Sequence, residues 1–64
     1  MNIVLVHKGT GIWKGLPKDF QVPIFGDTIK IDKILYVVNN NHFDFNTGIH
    51  YVFLKTYEEF RNED

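Results

Sequence analysis

Three features of the chain predict an all-β fold. Alanine, the strongest helix former, is missing from the 64 residues, and so are serine and cysteine. In their place stand seven Ile, six Val, four Thr and ten aromatic residues, side chains that suit a pleated, half-buried surface. The apolar residues also fall in short runs punctuated by Gly, Asn, Asp and Pro, the spacing of strands and turns. A hydrophobic content of 44% is enough for collapse and excludes a disordered chain. No apolar run approaches the ~20 residues that a membrane-spanning helix needs.

Ile3-Val4-Leu5-Val6 reads as the first strand, and Gly9-Thr10-Gly11 as a tight turn after it. Ile12-Trp13-Lys14 is expected to return as a short strand that ends at Gly15-Leu16-Pro17. From Pro17 to Asp27 two prolines disfavour a central strand, because neither has a backbone N–H to donate. Phe20, Val22, Ile24 and Phe25 are expected to pin this loop across the mouth or core of the sheet. Gly26-Asp27 then signals a turn. Thr28 to Asp32 alternates, with Ile29 and Ile31 inward. Asp32-Lys33 makes a tight turn into a strand from Ile34 to Val38.

Asn39-Asn40-Asn41 interrupts the apolar pattern and predicts a bulge or bend, with the strand resuming over His42 to Phe45. Asn46-Thr47-Gly48 is the best hairpin signal in the chain. A three-residue loop there sets Phe45 opposite Ile49 and Phe43 opposite Tyr51, with Phe53 on the same inner face. His42, Asp44, His50, Val52 and Leu54 then share the other face. This register leaves Trp13, Tyr36, Tyr57 and Phe60 as the aromatics whose burial one subunit does not complete. Thr56 followed by Glu59 fits a capping box, so residues 56–64 form an acidic tail with one or two helical turns. Together the elements predict one domain, residues 1–64. Its architecture is a small, strongly bent antiparallel sheet or an SH3-like barrel of about five strands, with a short C-terminal helix.

The run Val22-Pro23-Ile24-Phe25-Gly26-Asp27-Thr28-Ile29-Lys30-Ile31 precedes Tyr36-Val37-Val38, Phe43-Asp44-Phe45 and Tyr51-Val52-Phe53-Leu54. This order resembles small β-proteins common in phages and mobile elements, over roughly residues 3 to 55. The resemblance implies a bent, barrel-like sheet and a phage or mobile-element context, hence the host cytoplasm. It carries no catalytic residue across. The Asn39-Asn40-Asn41 run and the acidic tail depart from the layout.

Charge argues against an extended nucleic-acid site. The net charge is −1: the tail sums to −3, and the rest, with six Lys against four Asp, to +2. Lys8, Lys14 and Lys18 make only a small basic group, where phosphate binding over a length of strand needs a clear stripe. Without serine or cysteine, Ser–His and Cys–His chemistry has no nucleophile. No Gly-rich phosphate loop is present. We therefore expect no enzyme and no cofactor. No secretory segment opens the chain, which is the expectation for a cytoplasmic protein.

Three sets of residues are candidates for binding. Trp13, between two glycines and beside Lys8 and Lys14, could offer an indole to a ligand or base; its plainer reading is a core or interface tryptophan. Asn40 and Asn41 could bond a base or sugar, or shape a bulge. His42 and His50, with Asp44, could polarise a water or hold a zinc ion; the plainer reading is an exposed polar face with a cross-strand Asp–His pair. No fourth ligand is evident, so no metal is expected.

These observations lead to a non-enzymatic binding module acting through protein–protein contacts as a homo-oligomer. Its expected partners are a second copy and a host protein, with no membrane. The first alternative is an oligomeric sponge for a nucleotide-like signalling ligand. The second is a small barrel that binds single-stranded nucleic acid.

Overall fold

The computed structural model describes residues 2–13, 16 and 20–62. Five strands and one helix follow in chain order: β1 (Asn2–His7), β2 (Thr10–Trp13), β3 (Thr28–Ile31), β4 (Ile34–Asp44), β5 (Ile49–Thr56) and α1 (Tyr57–Arg61). The strands form one sheet in the order β2-β1-β5-β4-β3, curled into a half-barrel. Lys14, Lys18 and the predicted stop at Gly15 and Pro17 lie outside the described residues.

Two short turns are built alike. Lys8 and Gly9, at φ 52° and 78°, join His7 to Thr10, and Asp32 and Lys33, at φ 49° and 71°, join Ile31 to Ile34. Two successive positive φ values match the right-handed twist of the flanking strands, which is why such turns close hairpins. Between these hairpins Val22 packs on the core, and Phe20 is half-buried. Ile24 and Phe25, expected to pin the loop, are instead 68% and 65% exposed. They lie at a turn where Asp27 N donates to Ile24 O (3.0 Å) and the Asp27 carboxylate accepts from Ile24 N (2.9 Å). The turn turns both side chains outward while it ties its backbone to β4: Gly26 N donates to Val38 O and Val38 N to Asp27 O.

The main core cluster lies on one face of the sheet, and Val6 and Val37 are buried on the other. Leu5, Tyr36, Val38, Val52 and Leu54 make up the cluster, and Ile3, Ile12, Leu16, Val22, Ile29 and Ile31 pack around them. β4 is continuous from Ile34 to Asp44, so the Asn run bends the strand without ending it. The predicted bulge falls at Asn39, between Val38 opposite Leu54 and Asn40 opposite Phe53. One extra residue reverses the alternation. Even-numbered Tyr36 and Val38 face the core before it, and odd-numbered Asn41 and Phe43 take that face after it, opposite Val52 and His50.

Two expectations are corrected. The sheet is mixed rather than wholly antiparallel, because β1 runs parallel to β5 with Asn2 opposite Ile49 and His7 opposite Leu54. A parallel pair has no connecting hairpin and leaves no local signal. The β4–β5 hairpin is also one residue out of the predicted register: Asp44 faces Ile49, Phe43 faces His50 and His42 faces Tyr51. Four residues, 45–48, make the turn. Asp44 dictates this, since its Oδ1 accepts from Asn46 N (2.9 Å) and Thr47 N (3.3 Å) and its carbonyl from Gly48 N (2.8 Å). Gly48 supplies the positive φ of 73° that ends the turn.

The slip moves the β5 side chains to the other face, while Phe43, His42 and Asp44 of β4 keep theirs. Val52 and Leu54, placed outside by the sequence reading, form the core, and Tyr51 and Phe53 take the opposite face. Phe43 is 44% exposed, and Phe45, carried into the turn, is 91% exposed. The aromatics left uncovered therefore differ from the predicted set: Tyr36 is buried, while Phe25, Phe43 and Phe45 join Trp13 and Tyr57 at the surface. The C-terminal helix is as predicted. Thr56 Oγ1 accepts from Glu59 N (3.2 Å), and Glu59 Oε1 accepts from Thr56 N (2.9 Å), completing the capping box. Phe60 packs back on Phe25, ring centroids 5.9 Å apart.

Candidate binding surface

The face opposite the core is built by strand alternation. Val4 and Val6 of β1 stand beside Tyr51 and Phe53 of β5, and those beside His42 and Asn40 of β4. On the other side Gly11 of β2 lies against Val6. Two shallow hollows run along this face. One of about 590 Å³ is lined by Val4, Gly11, Ile12 and Trp13. The other, about 280 Å³, is lined by Val4, Val6, Gly9, Gly11, His42, Tyr51 and Phe53. They share Val4 and Gly11, so an apolar strip runs from Gly11 to Phe53; the register shift between Leu5 and Val6 sets Trp13 opposite Leu5, so the first hollow wraps around the β2 edge to Ile12 and Trp13. The rings of His42, Tyr51 and Phe53 form a row, 6.1 Å and 6.4 Å between successive centroids. Gly11 keeps the strip low, since an added Cβ there would meet the Val4 methyl at 3.4 Å.

The candidate residues from the sequence divide between this strip and structural roles. Trp13, 45% exposed, lies opposite Leu5 at the adjoining β2 edge, and Asn40 and His42 are exposed on the strip's flank. Asn40 Oδ1 accepts from Asn41 N (2.9 Å). Asn41 belongs to the other face: its Nδ2 donates to Pro23 O (3.3 Å) and its Oδ1 lies 2.9 Å from His50 Nε2. It thus fastens the loop before β3 to the sheet and occupies the imidazole of His50. The proposed group of His42, Asp44 and His50 does not form. The one-residue register difference puts His42 and Asp44 on the open face and His50 on the core face, and Asp44 is taken up by its turn. Among the described residues no three His, Cys, Asp or Glu side chains are grouped to hold a metal ion.

Lys8 is likewise engaged. Its Nζ lies 3.1 Å from Glu59 Oε2, while His7 Nε2 lies 2.9 Å from Glu59 Oε1. The backbone donor at Thr56, then His7, then Lys8 stabilise the Glu59 carboxylate and lower its pKa from 4.5 to about 2. The cluster fastens α1 to the end of β1 and leaves Lys8 little share in a phosphate site.

Sequence reasoning missed Tyr51, Phe53 and Val4 as surface residues. The available signal was in β5 itself, where aromatic Tyr51-x-Phe53 alternates with aliphatic Val52-x-Leu54. Both rows are apolar, so alternation alone does not choose the core. Among the described residues no helix is long and apolar enough to cross a membrane. Comparison with protein-family models, curated proteins and solved structures finds no match to this chain.

Proposed function

We propose that the protein is a non-enzymatic binding module that works as a homo-oligomer, with a second copy seated on the open sheet face at its β2 end. The observation that carries this reading is the apolar strip from Gly11 and Val4 to Tyr51 and Phe53, with the exposed Trp13 at the adjoining β2 edge. Contiguous apolar surface of this kind is usually covered in the working state. A small domain also gains from association the apolar burial it lacks alone. A net charge of −1 sets almost no repulsion between copies. Light scattering on the purified chain tests the reading. The expected mass is a multiple of 7.5 kDa; a monomer from micromolar to millimolar concentration overturns it.

A second reading rests on the ring row of His42, Tyr51 and Phe53 beside the smaller hollow. Such a row suits stacking of a planar heterocycle, as in a nucleotide-like ligand or an unpaired base. The engagement of Lys8 by Glu59 and of Asn41 by His50 removes two of the contacts that this reading enlisted. Titration calorimetry against a nucleotide panel and a short single-stranded oligonucleotide separates the two: heat with either supports stacking.

A further inference from the structure

The outer strands of the half-barrel are both guarded against a further strand: β2 is kinked by the register shift between Leu5 and Val6, and β3 carries Lys30. The far half of β4 is a further edge. β3 covers β4 from Ile34 to Val37, and Gly26 and Asp27 cover Val38. Past the bulge the register with β5 is regular from Asn40 to Asp44, and among the described residues no backbone pairs with that stretch on its other side. Asp44 O accepts from Gly48 N, so position 44 is directed at β5, whereas Asn41 N takes Asn40 Oδ1 (2.9 Å) and is directed away. Alternation then points the N–H and C=O of Phe43 outward, where another extended strand matches both. The Phe43 ring is 44% exposed and lies 6.2 Å from that of Phe45, 91% exposed.

We propose that this edge of β4 pairs antiparallel with the same edge of a second copy, about a two-fold axis at Phe43. The contact goes beyond the open-face seating above and does not need it. Outward groups allow an axis at Asn41 or Phe43, and Asn41 has bonded its N–H to Asn40 and its side chain to Pro23 and His50. The axis falls at Phe43, which exchanges both backbone bonds with its equivalent in the other copy. His42 of each copy then stands opposite the other copy's Asp44 on the open face, at about 4.5 Å between Cα atoms, the closer of the two antiparallel spacings. Both side-chain bonds of the turn go to Asp44 Oδ1, which leaves Oδ2 to accept from the imidazole. The strand is thus complementary to its own reverse, and this names the occupant as a second copy. On the core face the Phe43 rings meet across the axis and bring the Phe45 rings with them, so the exposed rings of both copies join in one cluster.

Sedimentation equilibrium and amide hydrogen exchange are followed from micromolar to millimolar concentration for the native chain and Phe43→Lys. Phe43 is exposed and lies off the open strip, so a lysine there guards the edge and leaves the other face as it was. The native chain is expected to reach at least twice 7.5 kDa. Exchange at its Phe43 amide is expected to slow by roughly tenfold or more as it associates. Phe43→Lys, folded by circular dichroism, is expected to halve the assembled mass; if it does not fold, the native Phe43 amide decides. Association that leaves this amide unprotected, or a folded variant that keeps the native mass, overturns the edge pairing and leaves the open-face reading standing. A native chain that stays monomeric overturns both.

Discussion

Lys33 holds φ 71° at the second position of a two-residue turn, where a side chain crowds its own backbone. Left-handed backbone costs an L-residue roughly 1–2 kcal/mol, and glycine escapes most of it. Lys33 is exposed and takes part in no packing of the core. Lys33→Gly is therefore expected to raise stability by about 0.5–1 kcal/mol, after the greater freedom of glycine in the unfolded chain is offset. Urea unfolding would register this as a higher midpoint at unchanged slope. The turn was legible as Asp32-Lys33 because alternation stops at Ile31 and restarts at Ile34. Asp44 was not legible in its turn role. Its side chain was read as one of a possible catalytic or metal set, whereas it caps the four-residue turn and thereby sets the faces of all β5 side chains. An Asx turn and a hairpin of different length compete for the same Asp-Phe-Asn-Thr-Gly segment, and only the packing of Val52 and Leu54 decides between them.

At the scale of elements, α1 shows how a five-residue helix persists. Such a helix is too short to hold itself, so its order comes from the capping box and from Glu59, one-third exposed, held between His7 and Lys8. Glu59 has a pKa near 2 in the folded chain against 4.5 as its ordinary value. A carboxylate with a lowered folded pKa contributes stability that is whole above 4.5 and fades as pH falls toward 2. Acid titration followed by the Phe60 resonances is expected to show α1 loosening in that window. Glu59→Gln is expected to remove this component of the acid sensitivity, since it does not ionise. The capping box was readable because its four residues are consecutive. The ion pairs were not, because they span 52 residues between His7 and Glu59. The same distinction separates the β3–β4 hairpin, plain in its alternation, from the parallel β1–β5 pair. It applies to the open face as well: Trp13 stood out between glycines, but Tyr51 and Phe53 needed the register first.

For the molecule as a whole, the sheet falls into two parts joined by one pairing. β3, β4 and β5 form a meander of sequential neighbours, and β1 with β2 is a hairpin of its own. The parallel contact that unites them brings Asn2 beside Ile49. Closing a loop of that length carries an entropic cost before any contact rewards it. The meander is thus expected to assemble first and the β1–β2 hairpin to dock late. Ile3→Val, on β1, should then accelerate unfolding and leave the folding rate nearly unchanged, whereas Val38→Ala on β4 should slow folding. Stopped-flow chevrons of the two variants check this, and equal partition of both effects would refute the order. For a chain made from its N-terminus, the same parallel pair has a consequence during synthesis. The first strand to leave the ribosome must wait for the fifth, so Val4, Val6 and the unpaired edge of β1 stand open to other chains until the last strand arrives.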